Sequence, residues 1–146
     1  MDPIKVIVAD DQPIVRAGLV ALLHVHKDIQ VLYEANDGLE AVQAVRDFKP
    51  DVVVMDISMP NLNGVDATAE ILSFAPETKI VALSIHSGKH FVKDMLAKGA
   101  RGYLLKDTAP EELVRAIRQV YSGDIFLDSA ITALALSKDK DTSDEE

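Results

Sequence analysis

Short runs of β-branched and other apolar residues alternate along this chain with longer segments whose apolar positions recur every three or four residues. The runs at 4–9, 29–33, 51–55, 79–83 and 102–105 predict strands. Val52-Val53-Val54-Met55 is apolar at every position, as suits a central strand of a parallel sheet covered on both faces. Between the runs, Val15, Leu19, Leu22 and Leu23 make a helical stripe; Ala41, Ala44, Val45 and Phe48 make a second, and Val65, Thr68, Ala69 and Leu72 a third. Leu113, Ala116, Ile117, Val120 and Tyr121 give the last helix the same pattern. The fourth helix, at 88–98, is the least regular. Its Phe91, Met95 and Leu96 stand among Lys89, His90, Lys93, Asp94 and Lys98, which predicts a more exposed and less firmly packed element. Thr108 and Glu111, three apart, predict a capping box at the last helix, with Pro110 tolerated in its first turn.

Strands alternating with helices through right-handed crossovers predict an α/β fold. For five strands this is a flavodoxin-like doubly wound parallel sheet, order 2-1-3-4-5, with helices on both faces. The domain is expected over residues 1–123, with 124–146 as a linker or tail. Ile125, Phe126, Ile131 and Leu134 offer some further packing, whereas the almost wholly polar stretch from about 137 predicts disorder. A parallel sheet gathers its strand ends along one edge, so Asp10, Asp11, Asp56, Ser84 and Lys106 should meet there. Three carboxylates at one place raise each other's pKa unless cations join them, and a hydrophobic core requires no such cluster.

Composition narrows the chemistry further. With 146 residues, 48% of them hydrophobic, the chain can bury one full-sized core. Its 15 Lys and Arg against 24 Asp and Glu give a net charge of -9, so direct contact of this chain with nucleic acid is not expected. The absence of cysteine excludes disulfides and thiolate metal ligands. No apolar run approaches the ~20 residues of a membrane span, and the start of the chain lacks an export signal; a soluble, cytoplasmic protein is expected.

Four blocks, VADDQPIVRAGL, VVVMDISMPNLNG, ALSIH and GARGYLLKDTAPEEL, together spanning residues 8 to about 121, resemble a response-regulator receiver domain. The chain is similar in particular to those of the NarL/FixJ, or LuxR-type, subfamily of two-component systems. The resemblance implies a signalling phosphoacceptor rather than an enzyme, with Asp56 accepting a phosphoryl group from a sensor histidine kinase. An aspartate can do so because its carboxylate is ionised without a general base, and Lys106 would sit on a phosphoryl oxygen to offset charge. Mg²⁺, replaceable by Mn²⁺, would be held by the Asp11 and Asp56 side chains and the Ser58 backbone carbonyl, with Asp10 acting through a water. Ser84 and Tyr103 would form the switch. Phosphorylation would then alter partner binding or homodimer formation through the face of helix four, strand five and helix five, or alternatively through helix one. The output would be a DNA-binding transcription-regulator domain absent from this chain; a stand-alone or degenerate receiver acting by protein–protein interaction is the alternative.

Some details depart from the resemblance or have simpler explanations. Asp107 follows Lys106 where many receivers have proline, so a trans peptide is expected. By the same resemblance, Ser58 and His86, each two residues past a site residue, would flank the route of water to an acyl phosphate. Gly64 is expected to supply a positive φ before helix three, and Tyr103 also fits a half-buried tyrosine on an edge strand. A haloacid-dehalogenase-like aspartyl phosphatase would end strand one in Asp-x-Asp, which Asp10-Asp11-Gln12 does not supply. A flavodoxin-type module would need a small-residue phosphate loop where Asp11-Gln12-Pro13-Ile14 stands.

Overall fold

The computed structural model describes residues 2–85, 89–128 and 131–132. Their elements run β1 (Ile4–Ala9), α1 (Pro13–His24), β2 (Ile29–Ala35), α2 (Gly38–Phe48), β3 (Val52–Asp56), α3 (Gly64–Phe74) and β4 (Lys79–Ser84). They continue with α4 (Lys89–Ala97), β5 (Gly102–Leu105), α5 (Ala109–Tyr121) and β6 (Phe126–Leu127). All strand pairs are parallel, and the sheet order is β2-β1-β3-β4-β5-β6.

Strand periodicity builds two cores from one sheet. Ile7, Ala9, Val53, Met55, Ile80, Ala82 and Tyr103 pack beneath α2, α3 and α4. The alternate residues Val6, Val8, Val52, Val54, Val81, Leu83 and Leu104 pack beneath α1 and α5. Burial of β3 at every residue explains its uninterrupted apolar run. The sheet order also makes β1 and β3 neighbours, with Ala9 opposite Met55, so the residues just beyond those positions share one place on the sheet edge.

Several local expectations are corrected. The sheet has six strands, because Phe126 and Leu127 pair with Gly102 and Tyr103, and packing continues to a wholly buried Ile131. Two residues are too few for a period-two pattern, so the sequence could not announce β6. No capping box closes α5: the Thr108 hydroxyl donates to Leu105 O and to Asp128 Oδ2 instead. Phe48 lies at the exposed margin, stacked on Tyr33 with ring centroids 5.5 Å apart. In α4, Val92 and Met95 are buried while Phe91 is half-buried and most other described positions are exposed, in keeping with the irregular stripe. No cis peptide bond occurs among the described residues, in line with the trans expectation after Lys106. His86, Leu134 and the stretch from 137 lie outside the described residues.

Gly64 has a role different from the one expected. Positive φ among described glycines occurs at Gly99 and Gly123, not at Gly64. Gly64 instead begins α3 hard against the end of β3, where a Cβ would lie 2.2 Å from the Asp56 carbonyl oxygen. The Asn63 side chain caps the same helix by accepting from the Asp66 amide at 2.9 Å. Gly64→Ala should therefore lower stability by about 1–3 kcal/mol through overpacking. Thermal melting checks this; an unchanged midpoint would show that the β3–α3 turn yields freely.

Candidate functional site

Each acidic residue reaches the sheet edge through a different strand end. Asp10 and Asp11 follow β1, and Asp56 is the last residue of β3. One carboxylate oxygen from each lies within 4.8 Å of the other two. Asp10 and Asp56 are buried, whereas Asp11 is exposed.

Lys106, just beyond β5, enters from the side. Its ammonium lies 3.1 Å from Asp10 Oδ2 and 3.2 Å from Asp56 Oδ2, and it donates to Gln12 Oε1 at 2.9 Å. The remaining contacts fix the carboxylates. Gln12 N donates to Asp10 Oδ1 at 2.9 Å, Ser58 N donates to Asp56 Oδ1 at 3.3 Å, and the Arg16 guanidinium donates to the Asp10 carbonyl. Gln12 and Arg16 were not singled out by sequence reasoning. Gln12 carries a positional signal, as the residue directly after the acidic pair and before Pro13 at the start of α1.

The electrostatics are those of too much negative charge for one lysine. Burial, followed by the charge of Asp10, raises the Asp56 carboxyl to about 7 from its ordinary 3.8, despite the opposing pull of Lys106. Burial lowers Lys106, but the combined attraction of Asp56 and Asp10 holds it above its ordinary value. Asp10 Oδ2 accepts no well-aligned hydrogen bond, although the Lys106 ammonium is near it. A buried, incompletely satisfied carboxylate oxygen beside two further carboxylates is a donor set suited to a hard divalent cation. Asp11, Gln12, Asp56, Ser58, Ile85 and Lys106 line a pocket of about 180 Å³ at this point, open to solvent.

The two switch candidates are together, and neither lines that pocket. Tyr103 is fully buried rather than half-buried. Burial raises its phenol above the ordinary value, and a side-chain hydrogen bond with Ser84 opposes the shift. The Ser84 carbonyl accepts the Lys106 amide at 2.9 Å, so backbone already joins β4 to the lysine.

Residues 6–118 match the family described as the response regulator receiver domain, and the chain belongs to that family. It is 41% identical over 129 residues to the oxygen regulatory protein NreC of Staphylococcus aureus, covering 88% of this chain and 59% of that protein. The chain thus spans less than two thirds of the length of the curated relatives it matches. A LuxR-family two-component response regulator from Aurantimonas sp. SI85-9A1 superposes with a TM-score of 0.90 at 31% identity, covering 94% of this chain and 98% of that one. The signal receiver domain of the response regulator NarL from Mycobacterium tuberculosis gives a TM-score of 0.81 at 32% identity, covering 84% and 99%. These relatives support the NarL/FixJ branch expected from the sequence blocks.

The raised Asp56 pKa has a consequence for stability in metal-free solution. A carboxyl that binds its proton more tightly folded than unfolded favours the fold below its unfolded pKa, and that advantage is lost as pH rises through about 7. Asp56→Asn should accordingly melt about 4 °C or more above the wild type at pH 8 in EDTA, with the gap closing towards pH 4. Denaturation at both pH values checks it; a gap independent of pH would mean that the Asp56 charge is not the cause.

Proposed function

We propose that Asp56 is the phosphoacceptor of this receiver, taking a phosphoryl group from the phosphohistidine of a sensor histidine kinase. The observation that carries this reading is the meeting of three carboxylates within 4.8 Å, two of them touching the Lys106 ammonium, in an open pocket. An Asp56 oxygen attacks phosphorus as the histidine N–P bond breaks, giving an acyl phosphate and a free imidazole. Lys106, already charged at neutral pH, moves its attraction from the carboxylates to a phosphoryl oxygen. Asp11, Asp56 and the Ser58 carbonyl would hold Mg²⁺ or Mn²⁺, with Asp10 acting through water. A bound Mg²⁺ would supply the charge neutralisation that lets carboxylate and phosphoryl oxygens approach.

The reading of the phosphate follows from the hydroxyl of Ser84. To donate to a phosphoryl oxygen, it must turn from Tyr103 towards Asp56, which removes the Tyr103 side-chain contact at that oxygen. The face formed by α4, β5 and α5 would change with it, altering partner binding or homodimer formation. The controlled output would be DNA binding, a property named for another similar structure, a LuxR-family DNA-binding response regulator from Staphylococcus aureus at 29% identity and a TM-score of 0.76. The chain acts as a signalling phosphoacceptor rather than a turnover enzyme. It would do so in the cytoplasm; among the described residues, no helix is long and apolar enough to cross a membrane.

Acetyl phosphate with Mg²⁺ should add one phosphoryl group to the wild type and none to Asp56→Ala, as read by intact mass. Equal labelling of the two proteins would refute the assignment. Ser84→Ala should still be labelled, but amide exchange in α4 and at Tyr103 should no longer respond. An identical response with and without the hydroxyl would rule out this switch.

A further inference from the structure

Asp128 stands just past β6, almost wholly buried, and takes no part in lining the phosphoacceptor pocket. Its Oδ2 accepts from the Leu105 amide at 2.9 Å and from the Thr108 hydroxyl at 2.9 Å. Its Oδ1 accepts from the Ile131 amide at 3.0 Å. Its own amide donates to Tyr103 O at 3.2 Å, and its carbonyl accepts from the Thr132 amide at 2.9 Å. One side chain thus ties the end of β5 and the start of α5 to the chain that follows β6.

The shortness of β6 explains why a carboxylate is needed. The pairing of β5 with β6 ends at Tyr103 and Leu127. The next amide of β5 on that edge, Leu105 N–H, has no strand carbonyl opposite it, and the Asp128 side chain takes the place of the missing strand. Between the two residues clamped in this way, Leu105 and Thr108, lies Lys106. Its own amide is held from the other side by Ser84 O at 2.9 Å. The backbone that aims the ammonium at Asp10 and Asp56 is therefore fixed by β4 on one side and by Asp128 on the other. The same carboxylate holds Ile131, which is wholly buried in the cluster containing Tyr103 and Met95.

We propose that Asp128 is a positioning residue for Lys106, and that it links the placement of that lysine to the docking of the chain at Ile131 and Thr132. The proposal deepens the reading of Asp56 as phosphoacceptor and rests on it for its kinetic part. Displacing the β5–α5 corner loosens Ile131, and undocking Ile131 loosens the corner, because the two share one carboxylate. Asp128→Asn cannot satisfy both sides: its single oxygen serves either Leu105 and Thr108 or Ile131, and its NH₂ then faces a donor.

The test uses the full chain in two measurements. In the unphosphorylated protein, Asp128→Ala, and more weakly Thr108→Val, should speed amide exchange at Leu105 and Lys106, by about tenfold for Asp128→Ala. The Lys106 Hε resonance should move with it, while exchange at Val54 in β3 stays unchanged. With acetyl phosphate and Mg²⁺, Asp128→Ala should slow phosphorylation about tenfold, yet change the residual rate of Lys106→Ala by less than about twofold. Unchanged exchange and an unmoved Lys106 resonance would overturn the proposal, as would rate losses that multiply in the double variant, the mark of general structural damage. A wild type that accepts no phosphoryl group would refute the Asp56 reading alone, since exchange and the Lys106 resonance still decide whether Asp128 positions the lysine.

Discussion

Repulsion between the Asp10 and Asp56 carboxylates, both buried and answered by one lysine, is the constraint around which this sheet edge is organised. A fold gains nothing from placing like charges together in a poorly solvated site, and the Asp56 carboxyl is raised by that burial first and by the Asp10 charge second. The cluster persists because the surrounding structure prevents its escape. The adjacency of β1 and β3 sets the distance between the acids, Gln12 and Ser58 hold them by their own amides, and Gly64 lets α3 begin directly against Asp56. Packing on both sheet faces supplies the rigidity that local bonds alone would not.

The same edge contains a second, softer arrangement. Ser84 and Tyr103 are hydrogen-bonded to each other, while Ser84 also holds the Lys106 backbone, so the Asp56 carboxylate on Lys106 and the buried tyrosine are only a few hydrogen bonds apart. The α4 helix beside them buries Val92 and Met95 but leaves much of its described surface in water. Such an element shifts for a smaller difference in free energy than the fully buried β3 would. Rigidity at the acids and compliance beside Tyr103 thus come from different degrees of burial in neighbouring elements.

The core of the fold was legible because burial on two faces leaves a strong trace: β3 could hardly be anything but a central strand, and the α5 stripe is fully buried at Leu113, Ala116, Ile117 and Val120, although Tyr121, expected in the same stripe, is exposed. The acids were legible because the sheet order requires their strand ends to meet. Other features depend on geometry that no period encodes. β6 is two residues long, Gly64 is required by an approach of backbone to backbone rather than by its φ, and Thr108 turns to Asp128 instead of capping its helix. Gln12 and Asp128 were missed for a related reason: each acts on a residue far away in sequence, 94 positions in the case of Gln12 and Lys106, and 23 in the case of Asp128 and Leu105. The plainer alternative for Tyr103, a half-buried tyrosine on an edge strand, does not hold, because β6 covers β5 on its outer side and the ring is fully buried.

If a divalent cation relieves the repulsion at Asp56, its binding must displace the proton that the metal-free carboxyl retains near neutrality. Calorimetric titration with Mg²⁺ in two buffers of different ionisation enthalpy measures that proton directly. About half a proton per Mg²⁺ should be released at pH 7, falling towards none at pH 9, because Asp56 titrates near 7 without metal. Mg²⁺ binding with no proton release at pH 7, or no binding at all, would contradict the claim that the site is a strained carboxylate cluster completed by a cation.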